Sequence, residues 1–243
     1  MYSFAPDYSV SGAAGPASVT LSGAGREIGS VYRWFRGSIF TGTRATETSF
    51  RLAMQEPAIF HLAMHSVSDS ADSRYSYLLF DPRGDTVDDG KLYNYEISLS
   101  RLRSPMVVLS ACNSGTGTLY HGEGLMSLAR GFILAGASSV IRTAWEVNDE
   151  VSADIISRFY SFLAHGKYKD DALRLAKLGY LKESPPAYSD PYFWAAYEVL
   201  GNNAPVKRRF GALELIISAG VFVMVVILIL YLRRRRIFSE RFL

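Results

Sequence analysis

The sequence predicts an α/β fold in which a mainly parallel sheet is flanked by helices. Short, continuous apolar runs such as 58–64 and 106–109 have the composition of strands buried on both faces. Amphipathic segments with capping residues lie between these runs, as they do in βα units. In open sheets of this kind, ligands and chemistry gather beyond the carboxyl ends of the strands. Candidate functional residues are therefore sought at those ends.

The individual elements follow from local patterns of hydrophobicity, capping and helix breakers. Residues 2–24 are rich in Gly, Ser, Ala and Pro and predict a loop. The predicted elements after it are a helix over 26–36, a strand over 38–41, a helix that Thr46 caps and that buries Phe50, Leu52 and Ala53, strands over 58–64, 75–80 and 106–109, a helix over 125–135, a strand over 139–144, helices from 148 or 149 to 164 and over 170–182, and a last strand over 193–200.

His65 and Cys112 each stand at the end of a buried apolar run. Cys112 is the only cysteine, so disulfides within the chain and Cys-x-x-Cys metal sites are excluded. A lone cysteine is by default a small buried hydrophobe, but this one opens a glycine-rich turn, where a nucleophile and its backbone N–H can face a site. His61, deeper in the same run as His65, is interpreted as a core histidine with a hydrogen-bonded ring.

Composition narrows the function classes. Hydrophobic residues make up 49% of the chain and charged residues 20%, values typical of a packed globular domain. The net charge of +3 comes largely from two basic clusters, 207–209 and 233–236, that bracket an apolar run. Nucleic-acid binding proteins instead spread their basic residues over a folded face. We therefore predict no nucleic-acid partner, and neither a cofactor nor a metal site.

A membrane-spanning helix is predicted over 213–232, between a basic juxtamembrane linker at 206–212 and a basic tail at 233–243. Leu215 to Leu232 carries no charge and no proline, and at 1.5 Å per residue it is roughly 27 Å long, close to the hydrocarbon thickness of a bilayer. The tail is the more basic flank, which favours a cytoplasmic tail, but a tail anchor with a cytoplasmic domain is equally reasonable. No signal peptide is readable at the start, so we expect late insertion or a longer precursor. The side of the membrane stays open.

Several segments, in the right order, resemble the CHAT domain family, bacterial relatives of caspases and separases. The two central segments are Ala63–Ser66 and Val108–Gly115, which contain His65 and Cys112. Further matching segments are 21–27, 45–46, 122–125, 128–130, 135–140, 144–149, 158–160, 172–173 and 191–197. The resemblance extends over about residues 6–201.

This resemblance implies a caspase-like three-layer sandwich over residues 1–205 and a cysteine-type endopeptidase. Carried over by position, Cys112 is the nucleophile, His65 is the general base, and the backbone N–H groups of Ser66 and Cys112 stabilise the oxyanion. The two residues are 47 positions apart (112 − 65), close to the separation of roughly 50 typical of caspases. The family usually has Gly where this chain has Ser66, and a Cβ there requires a backbone that is not at positive φ.

Substrate binding is also inferred from the resemblance. It implies that the edge of the third strand binds a protein or peptide substrate by strand addition, with Trp145, Asn148 and Asp149 as the binding residues. Asp149 either selects a basic side chain or caps the following helix. Attachment of many family members to helical repeats implies a regulatory helical-repeat region upstream.

Two other functions compete with a membrane-anchored endopeptidase. The caspase-like groove could capture peptides without turnover, a reading that Ser66 favours. Alternatively, the chain is a membrane-anchored scaffold in which Cys112 is only a core residue.

Overall fold

The computed structural model describes residues 1–8, 24–69, 71–110, 123–145, 147–206 and 224. The chain divides into two units, Met1–Val206 and Lys207–Leu243. Apart from Met224, the second unit lies outside the described residues, and so does the helix predicted over 213–232. Among the helices that are described, none has the length and apolar character needed to cross a membrane.

The strands of the described ranges form two sheets. Six strands make the large sheet, in the spatial order β2-β1-β3-β7-β8-β9, and three make the small sheet, in the order β4-β5-β6. Their bounds are β1 Tyr2–Ala5, β2 Ser38–Thr41, β3 Phe60–Leu62, β4 Ser66–Val67, β5 Tyr77–Leu79, β6 Lys91–Tyr93, β7 Val107–Leu109, β8 Ser139–Thr143 and β9 Tyr197–Gly201.

Strands β1, β2, β3, β7 and β8 of the large sheet are parallel, and β9 pairs antiparallel with β8. The small sheet is antiparallel throughout. β3 and β7 are buried along their whole length, which explains why both lie in mainly apolar runs of the sequence, with His61 as the one polar residue of β3. The predicted mainly parallel sheet is confirmed.

Helices cover both faces of the large sheet. Their bounds are α1 Ala24–Trp34, α2 Glu47–Ala53, α3 Asn94–Leu99, α4 Glu123–Ala135, α5 Asp149–Ala164, α6 Lys169–Glu183 and α7 Pro191–Trp194. Phe60 and Leu62 of β3 share one core cluster with residues of α2, α3 and α4. Val108 of β7 and Ile141 of β8 belong to a second cluster with α1, α5 and α6. Since neighbouring residues of a strand face opposite sides, the sheet is the middle of three layers.

Four expectations about individual elements are wrong. Tyr2–Ala5 is a strand in the interior of the sheet, where a loop was predicted. Leu52 is 63% exposed because it lies on the opposite side of α2 from the buried Phe50. The segment predicted as one strand over 193–200 begins within helix α7 and becomes strand only at Tyr197. The edge of β8 that was expected to be free is covered at Val140 and Ile141 by β7, while β9 pairs along the whole of the other edge.

Candidate active site

His65 stands where the large sheet passes into the small one. It follows β3 by three residues and directly precedes β4, which begins at Ser66. Its carbonyl accepts a hydrogen bond of 2.9 Å from the N–H of Leu79, the last residue of β5. The histidine is 1% exposed. Both sheets thus contribute to the position of this side chain.

Tyr8, in the N-terminal segment, packs against His65 and is hydrogen bonded to its backbone. Its hydroxyl donates to the carbonyl of Leu79 at 2.6 Å and accepts from the backbone N–H of His65 at 3.1 Å. The two ring centroids are 4.4 Å apart with an angle of 31° between the planes. Burial raises the pKa of Tyr8 well above its ordinary value of 10, so the phenol keeps its proton and donates it.

The register between β3 and β7 is relevant to the predicted pair of His65 and Cys112. Leu62 is the register partner of Leu109, and the N–H of Ser110 continues the ladder by donating to the carbonyl of Leu62 at 3.0 Å. His65 and Cys112 each lie three residues beyond this aligned pair. Neighbouring strands are about 4.8 Å apart. Cys112 itself lies outside the described residues.

The backbone of Ser66 is not at positive φ, as a residue with a Cβ at this position requires. No non-glycine residue of the described ranges has a positive φ, so a Cβ at Ser66 causes no backbone strain of that kind. Ser66 is paired with Leu78, and the bond from Leu79 N to His65 O makes this a non-hydrogen-bonded pair of the antiparallel ladder. The N–H of Ser66 therefore points away from β5.

A buried polar network lies behind the ends of β3 and β7. The Glu27 carboxylate of α1, 3% exposed, accepts a 2.9 Å hydrogen bond from Ser110 Oγ. Glu27 Oε1 is 3.2 Å from His61 Nε2, without hydrogen-bond geometry. On its other side, His61 Nδ1 is 3.2 Å from the hydroxyl of Tyr160. His61 is fully buried, which confirms its interpretation as a core histidine.

The same network reaches the far edge of the sheet. Ser110 Oγ is 3.2 Å from Ser152 Oγ of α5, which in turn is hydrogen bonded to the hydroxyl of Tyr197 on β9. Ser110 is the last described residue before Cys112. Its backbone is thus held by β3 and its side chain by α1 and α5.

The three predicted substrate-binding residues follow β8, the neighbour of β7. Trp145 is 39% exposed, donates from Nε1 to the carbonyl of Tyr192 at 2.8 Å, and stacks on that ring at 6.5 Å. Asn148 caps α5, because its Oδ1 accepts from the N–H groups of Glu150 and Val151. Asp149 is the first residue of α5, so the cap belongs to Asn148. β9 pairs along Ser139–Thr143, whereas β7 pairs with Val140 and Ile141. The expected strand addition is therefore wrong at Val140 and Ile141, and backbone for a peptide to pair with lies nearer the carboxyl end of the strand.

Sequence reasoning missed Tyr8 and the role of Glu27. Tyr8 lies within residues 2–24, whose composition predicts one loop and gives no sign of a functional residue. The alternation of Tyr2, Ser3 and Phe4 was a readable strand signal, and it would have placed Tyr8 beyond the carboxyl end of a strand. Glu27 lies on the inner side of an amphipathic helix, and a carboxylate on that side requires a buried partner.

These features together define a three-layer α/β domain with a histidine beyond the carboxyl end of a central strand. The sequence model of the CHAT domain matches residues 7–202. The chain belongs to the CHAT domain family.

Similar proteins differ in how much of their length they share with this chain. The crystal structure of the Arg-specific cysteine proteinase gingipain R superposes with a TM-score of 0.54, covering 85% of this chain and 47% of that one at 9% sequence identity. Tetratricopeptide repeat protein 28 of Mus musculus is 32% identical over 107 residues, and that of Homo sapiens is 33% identical over 102. The matches cover 44% and 42% of this chain, but only 4% of each repeat protein. These relatives are mammalian and give no support to the expectation of a bacterial source.

Proposed function

We propose that the chain is a caspase-like cysteine endopeptidase that cleaves protein partners through His65 and Cys112 and is anchored in a membrane. One observation carries the peptidase assignment. β3 and β7 are adjacent and parallel, and their register aligns the residues three positions before the histidine and the cysteine. Membership of the CHAT family supports the same pair of residues.

The proposed reaction is acyl transfer to sulfur followed by hydrolysis. His65 takes the proton of the Cys112 thiol, and the thiolate adds to the scissile carbonyl of the substrate. The N–H groups of Ser66 and Cys112 receive the charge of the tetrahedral oxygen. His65 returns the proton to the leaving amine as the C–N bond breaks, and water then hydrolyses the thioester. The direction of the Ser66 N–H, away from β5, is compatible with this role.

Substrate is proposed to bind beyond the carboxyl end of β8. Trp145 offers an exposed aromatic surface there, supported by its hydrogen bond to Tyr192. Asn148 and Asp149 are proposed as further binding residues. Because Asn148 Oδ1 already caps α5, it would contact substrate through its amide NH₂ group.

The rest of the proposal concerns anchoring and regulation. We propose that residues 1–205 form the peptidase domain, 206–212 a basic linker, 213–232 a single membrane span and 233–243 a basic tail. The charge-free run from Leu215 to Leu232 supports the span. The two relatives named as tetratricopeptide repeat proteins support a helical-repeat regulatory region upstream. Recovery of the full chain, but not of a 1–205 truncation, in carbonate-washed membranes tests the anchor.

Thiol alkylation tests the proposed pair, because Cys112 is the only thiol in the chain. An activated thiolate reacts with iodoacetamide at pH values well below the free-thiol pKa of about 8.5. We expect His65→Ala to slow that reaction and Cys112→Ala to abolish label uptake. His165→Ala is the matched control, since His165 is exposed at the end of α5, and it should react at the wild-type rate.

Turnover is tested with denatured proteins as substrates. Wild-type protein should generate new N-termini that neither Cys112→Ala nor His65→Ala generates, and sequencing of those termini gives the cleavage specificity. Equal, slow alkylation of wild type and His65→Ala would contradict the peptidase assignment. Fast alkylation without any new N-terminus would favour the non-cleaving peptide-binding module.

A further inference from the structure

Three hydrogen bonds join Tyr8, His65 and Leu79 into a closed cycle. The Tyr8 hydroxyl donates to the Leu79 carbonyl, the Leu79 N–H donates to the His65 carbonyl, and the His65 N–H donates to the Tyr8 hydroxyl. The direction of each bond is unambiguous, because a carbonyl can only accept and a backbone N–H can only donate. The main chain of His65 is therefore held at both its N–H and its C=O.

The ring of Tyr8 adds a contact with the imidazole itself. With centroids 4.4 Å apart and planes inclined by 31°, the phenol covers one face of the His65 ring. Tyr8 is 4% exposed and His65 is 1% exposed, so this contact is shielded from water. One side chain thus constrains both the backbone and the ring of the histidine.

We propose that Tyr8 is a positioning residue that holds His65 in the orientation needed to activate Cys112. This inference rests on the proposed peptidase function, in which the imidazole must reach the thiol with hydrogen-bond geometry. A displacement of about 1 Å can lower a rate by about 10²-fold. Loss of the Tyr8 hydroxyl removes two of the three hydrogen bonds but keeps the bond from Leu79 N–H to the His65 carbonyl and the ring contact, so the expected loss is smaller, on the order of tenfold.

Tyr8→Phe tests the role of the hydroxyl. We expect about tenfold slower alkylation of Cys112 and a kcat lowered by a similar factor, with KM within about twofold of the wild-type value. The matched control is Tyr160→Phe. Tyr160 is also buried with its hydroxyl near a histidine, His61, and its loss should reduce thermal stability without changing the alkylation rate. A second variant, Tyr8→Leu, removes ring and hydroxyl together and should be at least as slow as Tyr8→Phe.

A double-mutant cycle distinguishes positioning from general loosening of the fold. If Tyr8 acts through His65, adding Tyr8→Phe to His65→Ala should cause no further loss of alkylation rate. An additional tenfold loss in the double variant would overturn the inference, as would a wild-type rate in a folded Tyr8→Phe or Tyr8→Leu protein. If His65→Ala slows alkylation and the Tyr8 variants do not, the inference alone fails. If His65→Ala has no effect, the proposed function fails with it.

Discussion

Removal of the Glu27 carboxylate is expected to destabilise the domain strongly. In Glu27→Ala, Ser110 Oγ loses a 2.9 Å hydrogen bond to a buried carboxylate, and bonds to charged groups contribute about 1.5–3 kcal/mol. His61 Nε2 lies 3.2 Å from Glu27 in a fully buried ring, but without hydrogen-bond geometry, so removal of the carboxylate breaks no hydrogen bond there. The expected loss in the free energy of unfolding is therefore about 1.5–3 kcal/mol.

The assay is thermal and urea unfolding of the full chain. For a domain of 150–250 residues, each kcal/mol lowers Tm by about 2–4 °C, so Glu27→Ala should melt roughly 3–12 °C below wild type. Glu27→Gln keeps the shape and an acceptor for Ser110, and should lose less.

The matched control is Glu150→Ala, which removes another carboxylate at the start of a helix. Glu150 pairs with Arg26 at 3.2 Å, but both side chains are mostly exposed, at 73% and 63%. Exposed pairs of this kind contribute about 0–1 kcal/mol. If Glu27→Ala and Glu150→Ala cost the same, or if Glu27→Ala costs less than about 1 kcal/mol, the buried network does not support the fold as reasoned.

Two further predictions concern pH and backbone conformation. Burial opposes ionisation of Asp85, but hydrogen bonds from the N–H groups of Thr48 and Asp88 and from the Thr48 hydroxyl outweigh it and lower its pKa from 3.8 to about 2. A pKa depressed on folding contributes stability that is present above the unfolded value and is lost as pH falls through the folded value. The free energy of unfolding of wild type should therefore exceed that of Asp85→Asn by about 1 kcal/mol at pH 6, allowing for solvent screening. This difference should disappear between about pH 4 and pH 2. A gap of equal size at pH 6 and pH 2.5 in urea titrations would refute this. Gly136 has φ +115° and lies against the carbonyl of Leu102, so Gly136→Ala should lower the free energy of unfolding by at least about 1–3 kcal/mol. Gly29 lies in open space within α1, and Gly29→Ala should raise it by about 0.5–1 kcal/mol. Equal melting temperatures for the two variants would contradict the positive φ of Gly136.

The central strands could be predicted because their physical requirement is visible in composition. β3 and β7 are buried on both faces, and such strands are rich in apolar residues; His61 is the one polar residue in β3. The helix N-caps could also be predicted from the sequence. Thr46 accepts from the N–H of Ser49, and Asn148 caps α5, because these side chains satisfy N–H groups that a helix leaves without partners.

Other elements depend on partners that are distant in the chain. β4 and β6 have two and three residues, too few for a periodic signal, and they exist because β5 lies between them. β1 is stabilised by β2 and β3, more than thirty residues away. Helix α7 did have a local signal, since Asp190 caps it and Pro191 is its first residue, but its aromatic residues resemble a strand.

The sequence predicts the central residue of the candidate site, but not the side chains that hold the site in place. His65 was identified as the residue after a buried strand, and its position at the end of β3 follows from that pattern. The contacts made by Tyr8 and Glu27 link segments that are 57 and 83 positions apart. Such contacts depend on which strands become neighbours, and hydrophobic periodicity carries no information about that order.

The hydrogen-bond cycle around His65 makes strand β5 and the histidine one mechanical piece. A displacement of β5 is passed to the main chain of His65 through both its N–H and its C=O, and the ring of Tyr8 passes it on to the imidazole. A partner that displaces the small sheet would therefore shift the histidine as well.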